Sequence, residues 1–415
     1  VLYNSVISGN DDLLVEKALS SKNADSWHLA MKNEFDSLIK NNTWNLVERP
    51  KNKNVIKSKW VLKVKDEKSD NIRFKARLVA KGCSQKFGLD YEKTFSPVVR
   101  YSSLRTLFAL AAKFDWNIDH VDVEIAFLNG KLSEEIYMEQ PYGFIDSKNK
   151  DKFCLLTKSI YGLKQSSRAW FLRAKQVLID NGFKACDYEP CVFTKMNNGN
   201  VIIVALYVDD YLLIYEKPED AKILKQKLSL EFKIKDLGPV TEFLGMNIER
   251  NRKKGTLHIS QENYVEQILK RFNMVDSKPV ATPILSTNEL FVNEDEEEYD
   301  APYQELLGSL MFLSVISRPD LSFAVGFLSQ FNNRHLQIHW QAAKRILRYV
   351  KGTKSVGITY GQCDSFLEGY CDADWANNRH DRKSYSGIVF SLMGGVVSWY
   401  SKKQDCIALS STKYE

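Results

Sequence analysis

The order of hydrophobic and polar positions along the chain predicts a mixture of helices and strands. Apolar residues recur at helical spacing in some segments, while other segments alternate strictly or form short apolar runs, as strands do. The predicted helices cover a segment that begins at Asp25, then 101–113, 165–181, 220–232, 263–272, 304–315 and 339–350. The predicted strands are 44–47, 59–64, 72–80, 118–123, 201–206, 211–215, 367–370, 384–392 and 395–399. The pattern therefore predicts an α+β protein.

The apolar runs 201–206 and 211–215 flank a short segment, Tyr207-Val208-Asp209-Asp210, and together they predict a hairpin. Aspartate is a common turn residue, so a solvated hairpin tip is one interpretation. The apolar flanks favour a buried hairpin instead. Two adjacent carboxylates on a rigid, buried tip repel each other unless a cation neutralises them. A hard divalent ion, Mg²⁺ first, is the simplest such cation.

Length and charge extend this interpretation. A chain of 415 residues predicts two to three domains, and we expect boundaries near residues 278 and 360, with residues 1–25 as a linker. The formal charge of +6 is modest, but residues 51–81 carry eleven Lys and Arg against three Asp and Glu. Strand alternation places the cations of residues 72–80 on one face. Nucleic acid is the favoured partner, and a solvated sheet face is the alternative.

The remaining composition excludes several classes of protein. The seven cysteines are widely spread and lack the spacing of a zinc site, which indicates free thiols in a reducing compartment. His335 and His339 lie one helical turn apart without a second ligand pair, so we interpret them as structural. The sequence shows neither an apolar run of membrane-spanning length nor a signal peptide. We therefore expect no membrane partner.

Six sets of residues occur in a recognisable order. They are Lys75–Gly82, Val121–Gly130, Tyr161–Trp170, Tyr207–Asp210, Phe243–Met246, and Asp372–Trp375 with Ala408–Thr412. In this order they resemble the fingers, first catalytic, template-positioning, metal, primer-grip and RNase H motifs of the reverse transcriptase region of copia-type retrotransposon Pol polyproteins. The resemblance covers almost the whole chain. One departure is Ser167, where the family usually has proline.

The resemblance implies a right-hand polymerase. Fingers and palm would occupy residues 26–277, thumb and connection helices 278–360, and a partial RNase H-like α/β domain 361–415. The implied activity is RNA- and DNA-directed DNA synthesis from deoxynucleoside triphosphates. The implied partners are an RNA template, a DNA primer and product, an RNA–DNA hybrid and other parts of the Pol polyprotein. The family also implies a cytoplasmic virus-like particle.

The implied metal ligands are Asp122, Asp209 and Asp210, which would hold two Mg²⁺ or Mn²⁺ ions. Phosphoryl transfer needs charge neutralisation and in-line positioning, and two ions supply both. Separation along the chain does not show that the three carboxylates converge, so their convergence rests on the family fold. In the RNase H segment, Asp372 and Glu415 align with two metal ligands. Because the other ligands of that site are missing, we expect no RNA cleavage.

The resemblance also implies residues that contact the nucleotide and the primer. Phe127 would exclude the ribose 2′-hydroxyl, with a core phenylalanine as the alternative. Lys75 and Arg77 would contact phosphates, although Arg73 competes with them for this role. Lys235 is a candidate for protonating pyrophosphate, and a surface lysine is the alternative. The pocket floor would be shaped by Gly162 and Gln165, and the primer grip would comprise Phe243, Leu244, Gly245 and Met246.

Two other functions remain open. A catalytically silent remnant would still bind nucleic acid through its basic face, with strong salt dependence. A scaffold protein adopted by the host is a third interpretation. Intact Asp122, Asp209 and Asp210 favour the enzyme, whereas the truncated RNase H segment favours the remnant.

Overall fold

The computed structural model of the protein describes residues 11–66, 72–285, 287, 290–291, 297–361, 363, 367–375, 378 and 381–407. The helices are α1 (Asp11–Leu19), α2 (Ala24–Lys40), α3 (Tyr101–Lys113), α4 (Ser166–Asp180), α5 (Pro218–Glu231), α6 (Glu262–Arg271), α7 (Tyr303–Ile316), α8 (Ser322–Leu328) and α9 (Gln337–Gly352). The strands are β1 (Trp44–Val47), β2 (Val55–Ile56), β3 (Ser58–Asp66), β4 (Ile72–Ala80), β5 (Asn117–Val123), β6 (Lys131–Met138), β7 (Phe153–Lys158), β8 (Lys184–Ala185), β9 (Val192–Asn197), β10 (Asn200–Tyr207), β11 (Asp210–Tyr215), β12 (Ile234–Pro239), β13 (Glu242–Phe243), β14 (Met246–Asn251), β15 (Thr256–Ser260), β16 (Ile358–Tyr360), β17 (Leu367–Ala373), β18 (Tyr385–Leu392) and β19 (Gly395–Lys403).

Each helix and strand predicted from the pattern is present, with ends that match the prediction or differ from it by a few residues. One prediction needs correction, because the segment expected to be a linker contains α1, whose Val15 is buried in the N-terminal core. Gly238 and Pro239 are residue types common in turns, but here they form the end of β12, where the register with β5 shifts. In both places tertiary packing determines a structure that the local sequence signals only weakly.

A six-stranded antiparallel sheet lies at the centre of the fold. Its order is β12-β5-β11-β10-β9-β8, and every neighbouring pair is antiparallel. Its core includes residues from α3, α4 and α5, among them Phe108, Trp170 and Leu224. Both faces of the middle strands are largely buried, since Val204, Ala205, Leu212 and Leu213 are all fully inaccessible. This burial explains why β10 and β11 appear in the sequence as nearly continuous apolar runs.

The hairpin β3–β4 forms a separate two-stranded ribbon. On β4, Ala76, Leu78 and Ala80 are buried in a core that also contains Met31 of α2. The opposite face of β4 presents the basic residues, as the alternation predicts. α2 covers the buried side, and its Glu34 accepts a hydrogen bond from the Leu78 amide at 3.4 Å. The sequence prediction of a cationic ribbon face is therefore confirmed.

The C-terminal strands pack against the central sheet region rather than standing apart from it. β17, β18 and β19 form a three-stranded sheet, and β19 lies against α3. Arg105 of α3 is buried at this contact and donates hydrogen bonds at 2.8 Å to three carbonyl oxygens, those of Val397, Val315 and Ile316. Its guanidinium lies 3.9 Å from the centroid of the Trp399 ring. One side chain thus joins α3, the end of α7 and β19.

Candidate active site

The aspartate turn connects β10 directly to β11. Tyr207 and Asp210 form the last pair of the ladder, which leaves Val208 and Asp209 as the turn itself. Val208 has φ 56°, a conformation that a β-branched residue rarely adopts. Backbone strain of this kind concentrates at functional sites, where the surrounding structure holds it in place. Here α4 stabilises the turn, because the Trp170 indole Nε1 donates a hydrogen bond to the Val208 carbonyl oxygen at 2.6 Å.

The sheet register brings the three predicted aspartates together. Asp210 is the direct cross-strand partner of Asp122, because β11 pairs with β5. Asp209 adjoins them, and its carbonyl oxygen accepts a hydrogen bond from the Val123 amide at 2.8 Å. On the other side of β5, Lys235 of β12 is the cross-strand partner of Asp122. The result is a row across three strands, with Asp122 between an acid and a base.

Burial dominates the electrostatics of these carboxylates. Loss of solvent raises the pKa of both Asp122 and Asp209, and the nearby charge of Asp210 raises each pKa further. Opposing contributions come from His120 and Lys235 at Asp122, and from Arg77 at Asp209. Partly buried carboxylates that repel one another are an environment in which an added cation is stabilising.

His120 is a neighbour of the aspartates that the motifs did not identify. It stands two residues before Asp122 on β5, so its side chain emerges on the same face of the sheet. Its Nε2 lies 2.7 Å from Asp210 Oδ1, and its ring meets the Phe243 ring edge-on at 5.2 Å. The two-residue spacing from Asp122 was the signal that could have revealed it.

The donor set fits a hard divalent cation, although the side chains are not assembled into a ligand cage. Within the described part of the chain, no group of three or more His, Cys, Asp or Glu side chains is arranged to hold a metal ion. Asp210 instead turns one oxygen to His120. The backbone nevertheless fixes three oxygen-donor residues side by side, and oxygen donors are what Mg²⁺ and Mn²⁺ prefer.

Phe127 and Arg77 both contact one residue, Tyr161. The Phe127 ring packs edge-on against the Tyr161 ring at 4.8 Å, and the Arg77 guanidinium lies 4.5 Å from the centroid of the same ring. Arg77 also acts electrostatically on Asp209. Arg77 is therefore linked both to the Tyr161 ring and to the carboxylate of Asp209.

Gly162 and Gln165, both predicted for the pocket floor, have different surroundings. Gly162 has φ 93°, and a Cβ there would lie 2.1 Å from the Ala80 carbonyl oxygen, so only glycine fits beside β4. Gln165 is buried, donates to the Asp90 carbonyl oxygen at 2.9 Å and accepts from Gln85 at 3.1 Å. Its amide therefore supports the loop before α3, and its nucleotide contact stays a prediction.

The predicted primer-grip residues form a tight hairpin between β13 and β14. Phe243 and Met246 pair with each other and are buried, while Leu244 and Gly245 form the turn, with φ 49° and 79°. Phe243 contacts His120, so the hairpin adjoins the aspartates. If this hairpin contacts a primer, Leu244 and Gly245 are the residues that it presents.

Three other predicted residues lie at the edge of this arrangement or beyond it. Lys75 lies on the same strand face as Arg77 and acts electrostatically on Glu34. Asp372 is exposed on β17 opposite Gly387, and Glu415 lies outside the described residues, as does the 408–412 motif.

In the described part of the chain, no helix is both long and apolar enough for a membrane span.

Comparison with known proteins gives a consistent set of relatives. Residues 41–286 match the family described as reverse transcriptase (RNA-dependent DNA polymerase). The chain is 43% identical, over 97% of its length, to the retrovirus-related Pol polyprotein from transposon TNT 1-94 of Nicotiana tabacum. It is 38% identical, over 96% of its length, to the corresponding polyprotein from transposon RE2 of Arabidopsis thaliana. The chain spans only 31% and 27% of those two relatives.

The similarity to solved structures is weak. A structure of telomerase from Candida albicans with a fragment of telomeric RNA covers 77% of this chain and 63% of its own, with 11% identity and a TM-score of 0.31. At that TM-score the likeness is no support for a particular fold.

Proposed function

The chain belongs to the reverse transcriptase family, and from this premise we propose that it is a working RNA-directed DNA polymerase that also copies DNA. The observation that carries the proposal is the pairing of Asp122 with Asp210 across β5 and β11, with Asp209 beside them. Asp122 is far in sequence from the adjacent Asp209 and Asp210, and the pairing of β5 with β11 makes them neighbours.

In this proposal Asp122, Asp209 and Asp210 hold two Mg²⁺ or Mn²⁺ ions. The ions would activate the primer 3′-hydroxyl and neutralise the triphosphate charge. Arg77 binds phosphate oxygens of the incoming deoxynucleotide, and its support on Tyr161 orients it. Lys235, which is exposed and lies opposite Asp122, gives a proton to the departing pyrophosphate in this proposal.

In the same proposal, residues near the aspartates select the nucleotide sugar and bind the template. Phe127 excludes the ribose 2′-hydroxyl by steric clash, which favours deoxynucleotides. The cationic face of β3 and β4 binds template phosphates, and the turn at Leu244 and Gly245 contacts the primer. The partners are therefore an RNA or DNA template, a DNA primer and the RNA–DNA hybrid that forms between them.

Primer extension tests the proposal. The substrate is poly(rA) annealed to oligo(dT), with dTTP and either Mg²⁺ or Mn²⁺. We expect extension by the parent and none by Asp209→Asn, while both bind the primer–template with similar affinity. Asp187→Asn is the matched control, because Asp187 is an exposed aspartate outside the proposed ligand set. Extension by Asp209→Asn at the parent rate would remove Asp209 from the catalytic set.

The second candidate function is nucleic-acid binding without catalysis. The basic face of β4 favours it, because phosphate binding needs no metal site. Its signature is steeply salt-dependent duplex binding by a parent protein that extends no primer with either metal ion.

A further inference from the structure

Tyr161 occupies a junction between the cationic ribbon and the central sheet. Its carbonyl oxygen accepts a hydrogen bond from the Ala80 amide at 2.7 Å, at the end of β4. The next residue, Gly162, packs so closely on Ala80 that no side chain fits. The backbone of Tyr161 is therefore fixed relative to β4, and so is the origin of its side chain.

The Tyr161 ring has a different contact on each side. Phe127 meets it edge-on with ring planes 70° apart, and Arg77 stacks its guanidinium against it. Edge-to-face rings and guanidinium–ring stacks are both directional attractions, so the ring orients both neighbours. Burial raises the pKa of the Tyr161 hydroxyl more than the Arg77 charge lowers it, and the charges of Asp209 and Asp122 also raise it, so the phenol stays neutral.

We propose that Tyr161 is a positioning residue for sugar selection, holding the Phe127 ring in the orientation that rejects a ribose 2′-hydroxyl. The inference rests on the proposed polymerase function and extends it. Phe127 lies in a short 3₁₀ turn, Ala126–Asn129, that follows Ile125 with φ 57°. Such a turn fixes the backbone, but a ring that rejects one hydroxyl also needs a defined side-chain orientation. Tyr161 provides the facing surface.

The contact with Arg77 extends the role of Tyr161. Because the same ring touches the guanidinium and the Phe127 ring, triphosphate binding and sugar selection share one support. Loss of the ring would therefore weaken nucleotide binding as well as discrimination. Substitution of Arg77 alone would weaken binding of dTTP and UTP equally, since its proposed ligand is the triphosphate that both nucleotides share.

Nucleotide choice can be measured with and without chemistry. The first assay compares kcat/KM for dTTP and UTP on poly(rA)/oligo(dT), using the parent, Tyr161→Phe, Tyr161→Ala and Phe127→Ala. The second measures dTTP and UTP affinity of the complex with a dideoxy-terminated primer in Ca²⁺, which requires no turnover. We expect Tyr161→Phe to keep the parent's preference for dTTP and Tyr161→Ala to reduce it about 2- to 10-fold, the range that one aromatic pair supports.

The double variant Phe127→Ala/Tyr161→Ala separates positioning from a direct contact. If Tyr161 acts through Phe127, the double variant discriminates no worse than Phe127→Ala alone. Unchanged dTTP preference in Tyr161→Ala, with preference lost in Phe127→Ala, would overturn the inference. Failure of the parent to extend any primer would count against the polymerase, and the affinity assay would then decide the inference alone. Thermal melting confirms that each variant is folded, and Tyr161→Leu replaces Tyr161→Ala if that variant is not.

Discussion

Replacing Arg105 with methionine should release the C-terminal sheet from the rest of the protein. The guanidinium satisfies three buried carbonyl oxygens, at Val397, Val315 and Ile316, and stacks on Trp399. Methionine keeps the length of the side chain but donates no hydrogen bond. The three carbonyls would then be buried without this partner, and two of them end α7, where a cation is favourable.

The expected loss in the free energy of unfolding for Arg105→Met follows from two opposing effects. Each hydrogen bond from a charged donor contributes about 1.5–3 kcal/mol net. Against this, burial lowers the pKa of Arg105 to about 10. That shift corresponds to about 3 kcal/mol for holding the charge inside, which methionine would relieve. After this penalty is subtracted from the contribution of the three hydrogen bonds, we expect a net loss of about 3 kcal/mol. Arg105→Lys should lose less, because an ammonium retains the charge and some of the bonds.

Urea denaturation followed by circular dichroism measures the loss, and hydrogen exchange locates it. We expect the amides of β18 and β19 to lose protection before those of β10 and β11. Arg100→Met is the matched control, since Arg100 immediately precedes α3 with an exposed side chain. A loss under about 1 kcal/mol with unchanged exchange in β19 would refute this account of the joint.

Three further predictions concern the aspartates. Asp209→Asn should raise the melting temperature in EDTA, because burial and Asp210 raise the pKa of Asp209 in the folded protein. The protonated carboxyl stabilises the fold fully below the ordinary pKa of 3.8, and this stability is lost as the pH rises, so the melting temperatures of parent and variant, measured from pH 4 to 8, should converge at the acid end. Mn²⁺ should raise the melting temperature of the parent more than that of the variant. Trp170→Phe removes the hydrogen bond to Val208 and should lower kcat about 2- to 10-fold with little change in KM, whereas an equal fall in the affinity for primer would indicate a wider structural loss. His120→Ala removes the hydrogen bond that orients Asp210 and should raise the Mn²⁺ concentration for half-maximal extension about 10-fold or more. His120→Gln should restore part of the loss, and equal metal requirements in all three proteins would contradict the role of His120.

Local patterns were sufficient for the elements that carry the chemistry. The apolar runs around Tyr207–Asp210 predicted the hairpin, and helical spacing predicted α3 at its observed ends, Tyr101–Lys113. Alternation predicted the basic face of β4, because strand geometry assigns neighbouring residues to opposite faces. These signals are visible in sequence because they depend on residues within one or two turns or strands.

Other elements depend on partners distant in sequence. The first part of β6 contains Lys131, Glu134 and Glu135, and its residues are exposed or half-buried. The strand therefore shows no clean alternation of apolar and polar residues. Its pairing with β7 and β2 makes it a strand. The helix α1 is likewise stabilised by burial of Val15 against distant residues. Tertiary contacts routinely override weak local preference in such segments.

The sequence by itself determined that this chain has a buried aspartate hairpin, a second aspartate at the end of a strand and a basic ribbon, and the motif order identified the family. Only the tertiary structure decided that Asp122 lies opposite Asp210, that His120 contacts the same carboxylate, and that Tyr161 joins Phe127 to Arg77. The physical reason is that strand register is set by the packing of the whole sheet. Carboxylates that repel one another give no local signal of their meeting, and burial elsewhere in the protein holds them together.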